Sequence, residues 1–136
     1  MRRIVLPAAV ALLALVGTVS TAQAQKLSAA QCNAMLETAD DARTSLAQME
    51  TILAELESES AAFSQRILEL QVDIRFAKMA GNDKQVRKLT AEKTQVEKDL
   101  ESVELVRPDI ATQVAALRES VATADHDYIA CIEQTL

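Results

Sequence analysis

Two cysteines and one histidine are the side chains of this sequence best suited to redox, metal or acid–base chemistry. Cys32 and Cys131 lie near opposite ends of the chain. A metal pair would need further ligands, and a thiol redox pair usually has Cys-x-x-Cys spacing. The pair therefore favours a structural disulfide, provided that the fold brings the two sulfurs together in an oxidising compartment.

The single histidine, His126, stands between Asp125 and Asp127. A general base or a metal site needs several positioned partners in a cleft, which a lone histidine on a helix surface lacks. The sequence also contains no Gly-rich phosphate loop, zinc-ligand spacing or nucleophile elbow. We therefore predict a protein that is not an enzyme and that uses no cofactor or metal.

Residues 1–24 resemble a cleavable secretory signal in all three of its parts. Arg2 and Arg3 precede an apolar stretch, and a small-x-small triplet ends at Ala24. A retained membrane anchor is the alternative, but the apolar core is shorter than the roughly 20 residues of a spanning helix. The residue after Ala24 is not the cysteine that a bacterial lipoprotein would acylate. We expect residues 25–136 to be periplasmic or secreted, where paired cysteines oxidise.

The composition favours an acidic, helical protein. The chain has 14 Lys and Arg against 20 Asp and Glu, a net charge of -6. Loss of Arg2 and Arg3 leaves 12 against 20, so the exported chain carries -8. Such a surface argues against nucleic acid as a partner. Aromatic residues make up 2% of the chain, which suits an all-α protein but also a disordered one.

Apolar periodicity favours order over disorder. Two series of fourteen positions, in alternating steps of three and four residues, contain thirteen and twelve apolar residues. A spacing that averages 3.5 residues over six heptads is typical of a left-handed coiled coil. The first series is Cys32, Met35, Ala39, Ala42, Leu46, Met49, Leu53, Leu56, Ser60, Phe63, Ile67, Leu70, Ile74 and Ala77. The second is Val86, Leu89, Lys93, Val96, Leu100, Val103, Arg107, Ile110, Val114, Leu117, Val121, Ala124, Tyr128 and Cys131.

A turn separates the two series. Gly81 can adopt the left-handed conformation that ends a helix, and Asn82 can cap the next helix. Ser28 followed by Gln31 forms a capping-box pattern at the start of the first series. We therefore predict helices over residues 28–80 and 83–134, each about 75 Å long at 1.5 Å per residue.

Folding the chain back at Gly81 pairs residues whose numbers sum to 163, so that every seam position faces a seam position. The last layer of this register places Cys32 opposite Cys131, and these are the only two cysteines of the chain. The sequence thus predicts an all-α antiparallel coiled-coil hairpin, closed by a Cys32–Cys131 disulfide. Arg43 with Asp125, Glu50 with Arg118, and Arg66 with Glu92 or Asp99 are placed for ion pairs between the helices.

The middle of the rod departs from the apolar pattern. Lys93 and Arg107 occupy seam positions, where their long stems can lie along the seam with the charges in water. Pro108 falls inside the second helix and removes one backbone hydrogen bond. Because the seam stays in phase across it, we expect a kink. A break into three helices is the alternative.

The tip, defined as residues 68–98 around the turn, is the candidate partner-binding surface. An apolar stripe lies opposite the seam of the first helix: Leu68, Val72, Phe76 and Met79. Cations surround it, chiefly Arg75, Lys78, Lys84, Arg87 and Lys88. Residues 75–98 hold seven basic and three acidic side chains, a local charge of +4.

Several functions suit such a surface. The first hypothesis is a periplasmic adaptor or a holdase-like rod that binds an acidic protein partner through the tip. A second is self-association of two hairpins into a four-helix bundle as a homodimer. A third is attachment to an anionic membrane surface. Scattered exposed apolar residues without any function are a fourth possibility, because single exposed apolar side chains are common.

Overall fold

The computed structural model describes residues 28–135 as two long helices, α1 (Ala29–Met79) and α2 (Asp83–Thr135), packed against each other along their length. The predicted helical hairpin is therefore confirmed. Its boundaries differ from the prediction by at most one residue, since α1 begins at Ala29 and ends at Met79, and α2 continues to Thr135. The proposed signal, residues 1–24, lies outside the described residues.

A capping box starts α1. The Ser28 amide donates to the Gln31 side-chain oxygen at 2.7 Å, and the Gln31 amide donates to the Ser28 hydroxyl oxygen at 3.3 Å. These reciprocal bonds satisfy two amides that have no partner within the first turn of a helix. The short Ser-x-x-Gln pattern thus fixes where the helix begins.

The turn between the helices is a Schellman motif centred on Gly81. Gly81 has a φ of 68°, the left-handed region that favours glycine. The Asn82 amide donates to the Ala77 carbonyl at 3.0 Å, and the Gly81 amide donates to the Lys78 carbonyl at 3.1 Å. The Asn82 side-chain oxygen then accepts from the Gln85 amide at 3.1 Å and caps α2. The three residues between the helices therefore reverse the chain.

The core of the rod is the predicted seam. All fourteen seam positions of each helix are buried or half-buried. Leu56, Val103, Ile110 and Val114 form one buried cluster at the middle of the rod. A second buried cluster beside the turn consists of Leu70, Ala77 and Leu89. Because a two-helix rod has only one layer of core residues, each seam residue supplies a large share of the buried apolar area.

The two charged seam residues behave as their long stems predict. The side chains of Lys93 and Arg107 are 27% and 40% exposed, and their charged groups pair with Glu97 and Glu104 of the same helix. Lys93 lies in the layer of Leu70, which is fully buried. The aliphatic stems therefore complete the seam while the charges stay at its edge.

Pro108 does not divide the second helix. Asp83–Thr135 is one continuous α-helix with the proline in its interior. The alternative of three helices is therefore wrong. Proline has no amide to donate to the Glu104 carbonyl, so one rung of the helix is missing at this point. The kink expected here stays a prediction.

Ion pairs along both edges of the seam support the antiparallel register. Arg43 pairs with Asp125, and the Arg118 Nε lies 3.2 Å from a Glu50 carboxylate oxygen. On the other edge, an Arg66 guanidinium nitrogen lies 2.6 Å from a Glu92 carboxylate oxygen. Of the two partners predicted for Arg66, Glu92 is therefore the one it contacts. All of these side chains are partly exposed, so each pair contributes at most about 1 kcal/mol.

Candidate functional site

The disulfide closes the end of the rod that lies farthest from the turn. Cys32 and Cys131 are bonded, their Cα atoms lie 5.6 Å apart, and each residue is 1% exposed. No cysteine among the described residues is free. A bond this deeply buried is shielded from small thiols in the folded protein. We therefore assign it a structural role, as the sequence predicts.

The apolar stripe of the tip is exposed along its whole length. Leu68, Val72, Phe76 and Met79 are 62%, 49%, 64% and 77% exposed. They follow one another at one-turn spacing on the outer side of α1, where α2 does not reach them. Soluble monomers rarely expose several large apolar side chains side by side. The stripe thus has the character of a contact surface.

Six of the seven cations of the tip differ from the other cations of the described rod in having no acidic partner. Arg43, Arg66, Arg107 and Arg118 all form ion pairs. Within residues 75–98, only Lys93 does so among the described residues. The six cations without an ion pair are Arg75, Lys78, Lys84, Arg87, Lys88 and Lys98. Unpaired positive charge is therefore concentrated at the tip.

Two shallow grooves flank the tip, one on each edge of the seam. The first is lined by Gln71, Ile74, Arg75, Lys78 and Lys93, so that three cations border an apolar floor. The second is lined mainly by uncharged residues, including Phe76, Ala77 and Leu89. Both are open to solvent, which suits the side of a protein or a surface better than an enclosed small molecule.

A polar cluster interrupts the core at the middle of the rod. The Ser60 hydroxyl donates to a Glu104 carboxylate oxygen at 2.5 Å, and an Arg107 nitrogen lies 2.7 Å from the other carboxylate oxygen. The hydrogen bond from Ser60, followed by that from Arg107, lowers the pKa of Glu104 below its usual value. The Arg107 Nε is buried and has no partner among the described residues. The cluster is a weak point in the packing.

His126 lies on the surface of α2 away from the seam. Its side chain is 83% exposed, and its Nδ1 lies 3.6 Å from a carboxylate oxygen of Asp127. Nothing encloses the imidazole, and no group of three or more potential metal ligands occurs among residues 28–135. The histidine thus lacks the positioned partners that acid–base catalysis needs.

Three exposed apolar residues were missed by the sequence reasoning. Leu105 is 70% exposed at the middle of the rod, and Ile129 and Ile132 are 56% and 37% exposed near the disulfide. All three lie outside the seam series, so their heptad positions were a signal that could have found them. The tip is therefore the largest exposed apolar surface of the described residues but does not stand alone.

Comparison with known proteins identifies no relative. No protein-family model, curated protein or solved structure matches the chain. Among the described helices, none has a segment that is apolar over the length needed to cross a lipid bilayer. The functional interpretation therefore rests on the surface of the rod.

Proposed function

We propose that the protein is an exported, non-catalytic interaction rod of the adaptor or holdase type, which binds an acidic protein partner through its tip. The observation that carries the proposal is the coincidence of the apolar stripe with the unpaired cations. Phe76 and Met79 are 64% and 77% exposed, and Arg75 and Lys78 lie beside them without acidic partners.

The tip keeps this charge arrangement at an electrostatic cost. Lys84 lies in the first turn of α2, beside Asp83, where the helix dipole disfavours a cation by some tenths of a kcal/mol. Arg87 and Lys88 follow in the second turn, where the effect of the dipole is smaller. The rod elsewhere places its arginines beside carboxylates. A partner that supplies carboxylates at the tip would remove the cost, which favours an acidic partner over a neutral one.

The shape of the rod supports a role in binding without catalysis. The two grooves at the tip are open and have no paired acid and base groups that could act on a substrate. A single layer of core residues also leaves little room for a water-excluding pocket. Binding along an exposed helix surface needs neither paired acid and base groups nor a pocket that excludes water.

Export is supported by the disulfide. Cys32 and Cys131 are joined, and structural disulfides persist mainly in oxidising compartments such as the periplasm. We propose that residues 1–24 are removed at export. Mass spectrometry of the protein recovered from cells would then find a chain that begins at Gln25 and carries no free thiol, whereas an intact leader would contradict this step.

The proposal is tested by photo-crosslinking in living cells. A photoreactive amino acid at Met79 should capture a protein partner, and the same amino acid at Leu105 should not. Leu105 is a matched control because it is an apolar residue, 70% exposed, away from the tip. Arg75→Glu together with Lys78→Glu should reduce the Met79 product at least tenfold. Equal capture from both positions, or none from Met79, would contradict the proposal.

Attachment to an anionic membrane is the second candidate, because exposed Phe76 and Met79 beside cations also suit phospholipid headgroups. Flotation of the protein with vesicles that contain anionic lipid distinguishes membrane attachment from a protein partner, and neutral vesicles are the control. Binding that Phe76→Asp abolishes would favour the membrane. The stripe reaches back to Leu68, about 16 Å along α1 from Met79 at 1.5 Å per residue. A rod entering tip first would bury only part of it, so we place the protein partner first.

A further inference from the structure

A second exposed apolar patch lies at the other end of the rod. We define the open end as residues 28–46 and 117–135, which surround the disulfide. Ile129 and Ile132 lie here on the outside of α2 and are 56% and 37% exposed. Apart from Leu105, the large apolar residues exposed in the described structure therefore lie at the two ends of the rod.

The two ends carry opposite charge. Residues 75–98 hold a net charge of +4 (seven basic, three acidic). The open end has two arginines against seven acids, a net charge of -5, and its acids are Glu37, Asp40, Asp41, Glu119, Asp125, Asp127 and Glu133. Asp125 and Glu133 lie one helical turn on either side of Ile129, as Arg75 lies one turn from Met79. Arg75 and Lys78 on one border of the tip stripe thus complement the acids beside Ile129, while Glu69 and Asp73 lie on the other border of the stripe.

The coiled-coil twist brings the two patches to one side of the rod. Their centres lie about 60 Å apart at 1.5 Å per residue. If the two helices were straight, the heptad positions would place the two patches about 100° apart around the axis of the rod. A left-handed coiled coil with a pitch of about 150 to 210 Å turns by roughly 100° to 150° over that distance, in the direction that aligns them. A second rod can therefore contact both patches at once.

We propose that the acidic partner of the tip is the open end of a second copy of this chain, in an antiparallel dimer with two-fold symmetry. The stripe of one copy packs on Ile129 and Ile132 of the other, and the same contact forms at the opposite end. Arg75 and Lys78 then lie near Asp125 and Glu133 of the second copy. The inference rests on the proposed function, because it names the partner for the same surface.

Charge selects this arrangement over pairing of two tips. A tip-to-tip dimer would place two tips against each other, each with a net charge of +2 over residues 68–98 (seven basic, five acidic), and it would leave Ile129 and Ile132 exposed. The head-to-tail contact instead occurs twice in each dimer. The two contacts involve few apolar side chains, and interfaces at the small end of the specific range are usually weak, so we expect a dissociation constant on the micromolar scale.

The test is sedimentation equilibrium of the purified, oxidised protein at about 100 μM. We expect twice the chain mass in low salt and a shift toward the monomer in about 1 M NaCl, because the charges are exposed. Phe76→Asp and Ile129→Asp should each weaken the dimer at least tenfold. Leu105→Asp, an equally exposed apolar site on another side of the rod, should leave it unchanged. Circular dichroism verifies that each variant keeps its helices.

Mixing the two end variants separates this dimer from other forms. A mixed dimer of Phe76→Asp with Ile129→Asp keeps one intact contact, between the wild-type tip of one copy and the wild-type end of the other. The mixture should therefore associate more tightly than either variant alone. A tip-to-tip dimer would ignore Ile129→Asp and gain nothing from mixing, which would overturn the inference, as would a monomer at 100 μM.

Crosslinking distinguishes failure of the dimer from failure of the proposed function. In the purified protein, a photoreactive residue at position 79 should link to peptides around Ile129. Positions 79 and 129 lie at opposite ends of one rod, so this product must join two copies of the chain. A monomeric purified protein whose position 79 still captures a different protein in cells would overturn the dimer alone. Capture of nothing in either setting would remove both.

Discussion

The disulfide allows the most quantitative prediction about this rod. Cys32 and Cys131 are separated by 99 residues and lie at the end of the rod where no turn connects the helices. In the chain-entropy model, releasing a loop of this size frees about 4.7 kcal/mol of conformational entropy in the unfolded state. A total stability of 5–15 kcal/mol is typical of a domain, so the bond supplies a large share.

The perturbation is reduction of the protein, or replacement of both cysteines by alanine to avoid buried polar groups. Thermal unfolding followed by circular dichroism should shift down by about 15 °C or more, since 1 kcal/mol corresponds to at least about 4 °C for a domain of this size. Both samples must be measured at one protein concentration, because self-association also raises the melting temperature.

Removal of the disulfide should destabilise one end of the rod more than the other. Amide hydrogen exchange should accelerate most at the open end, over residues 28–46 and 117–135, because helix ends without a crosslink fray first. Amides beside Gly81 should change less, since the turn keeps its own hydrogen bonds. A melting temperature within about 2 °C of the oxidised protein, with unchanged exchange at the open end, would refute the structural role of the disulfide.

Three further predictions concern the seam and the middle of the rod. Leu70→Ala, at a fully buried position, should destabilise the protein by about 2–5 kcal/mol in urea unfolding. Leu68→Ala, on the exposed stripe, should destabilise it by well under about 1 kcal/mol. Equal destabilisation by the two substitutions would contradict the register. Pro108→Ala should stabilise by about 2 kcal/mol because it restores a helical hydrogen bond, and Asp109→Ala is the control. Because the folded-state pKa of Glu104 is lowered, its contribution is present above the unfolded pKa and is lost as the pH falls through the folded value. Glu104→Gln should therefore flatten the fall in stability as the pH drops below the usual range of a glutamate pKa, and an unchanged slope would argue against the hydrogen bonds to this carboxylate.

The fold could be predicted from the sequence because the core residues of a coiled coil recur at a regular heptad spacing. Each seam series needed only its 3-4 spacing, and the register followed from Gly81 and the two cysteines. Even the charged seam residues were interpretable, since a lysine or arginine stem can cover the seam. What the repeat did not determine was the choice between partners at its edge: Arg66 contacts Glu92, and Asp99 instead accepts a hydrogen bond from Gln95.

The candidate site was predictable only in part. The stripe from Leu68 to Met79 was visible as a second periodicity, and its exposure is confirmed. The pairing state of the cations was not visible, because it depends on which rotamers bring carboxylates within reach. Ile129 and Ile132 form no stripe of their own, so only their heptad positions outside the seam marked them as exposed. The identity of a partner depends on the surface of the molecule that binds, and the periodicity of this chain gives no information about that surface.

The reactivity of the tip lysines inside and outside the cell reports whether a partner covers the tip. Lys78, Lys84 and Lys88 are exposed in the isolated rod. A small amine-reactive ester, quantified by mass spectrometry, should label them several times more slowly in intact cells than in dilute purified protein, because a partner covers the tip. Equal labelling in both settings would show the tip uncovered and would contradict the account.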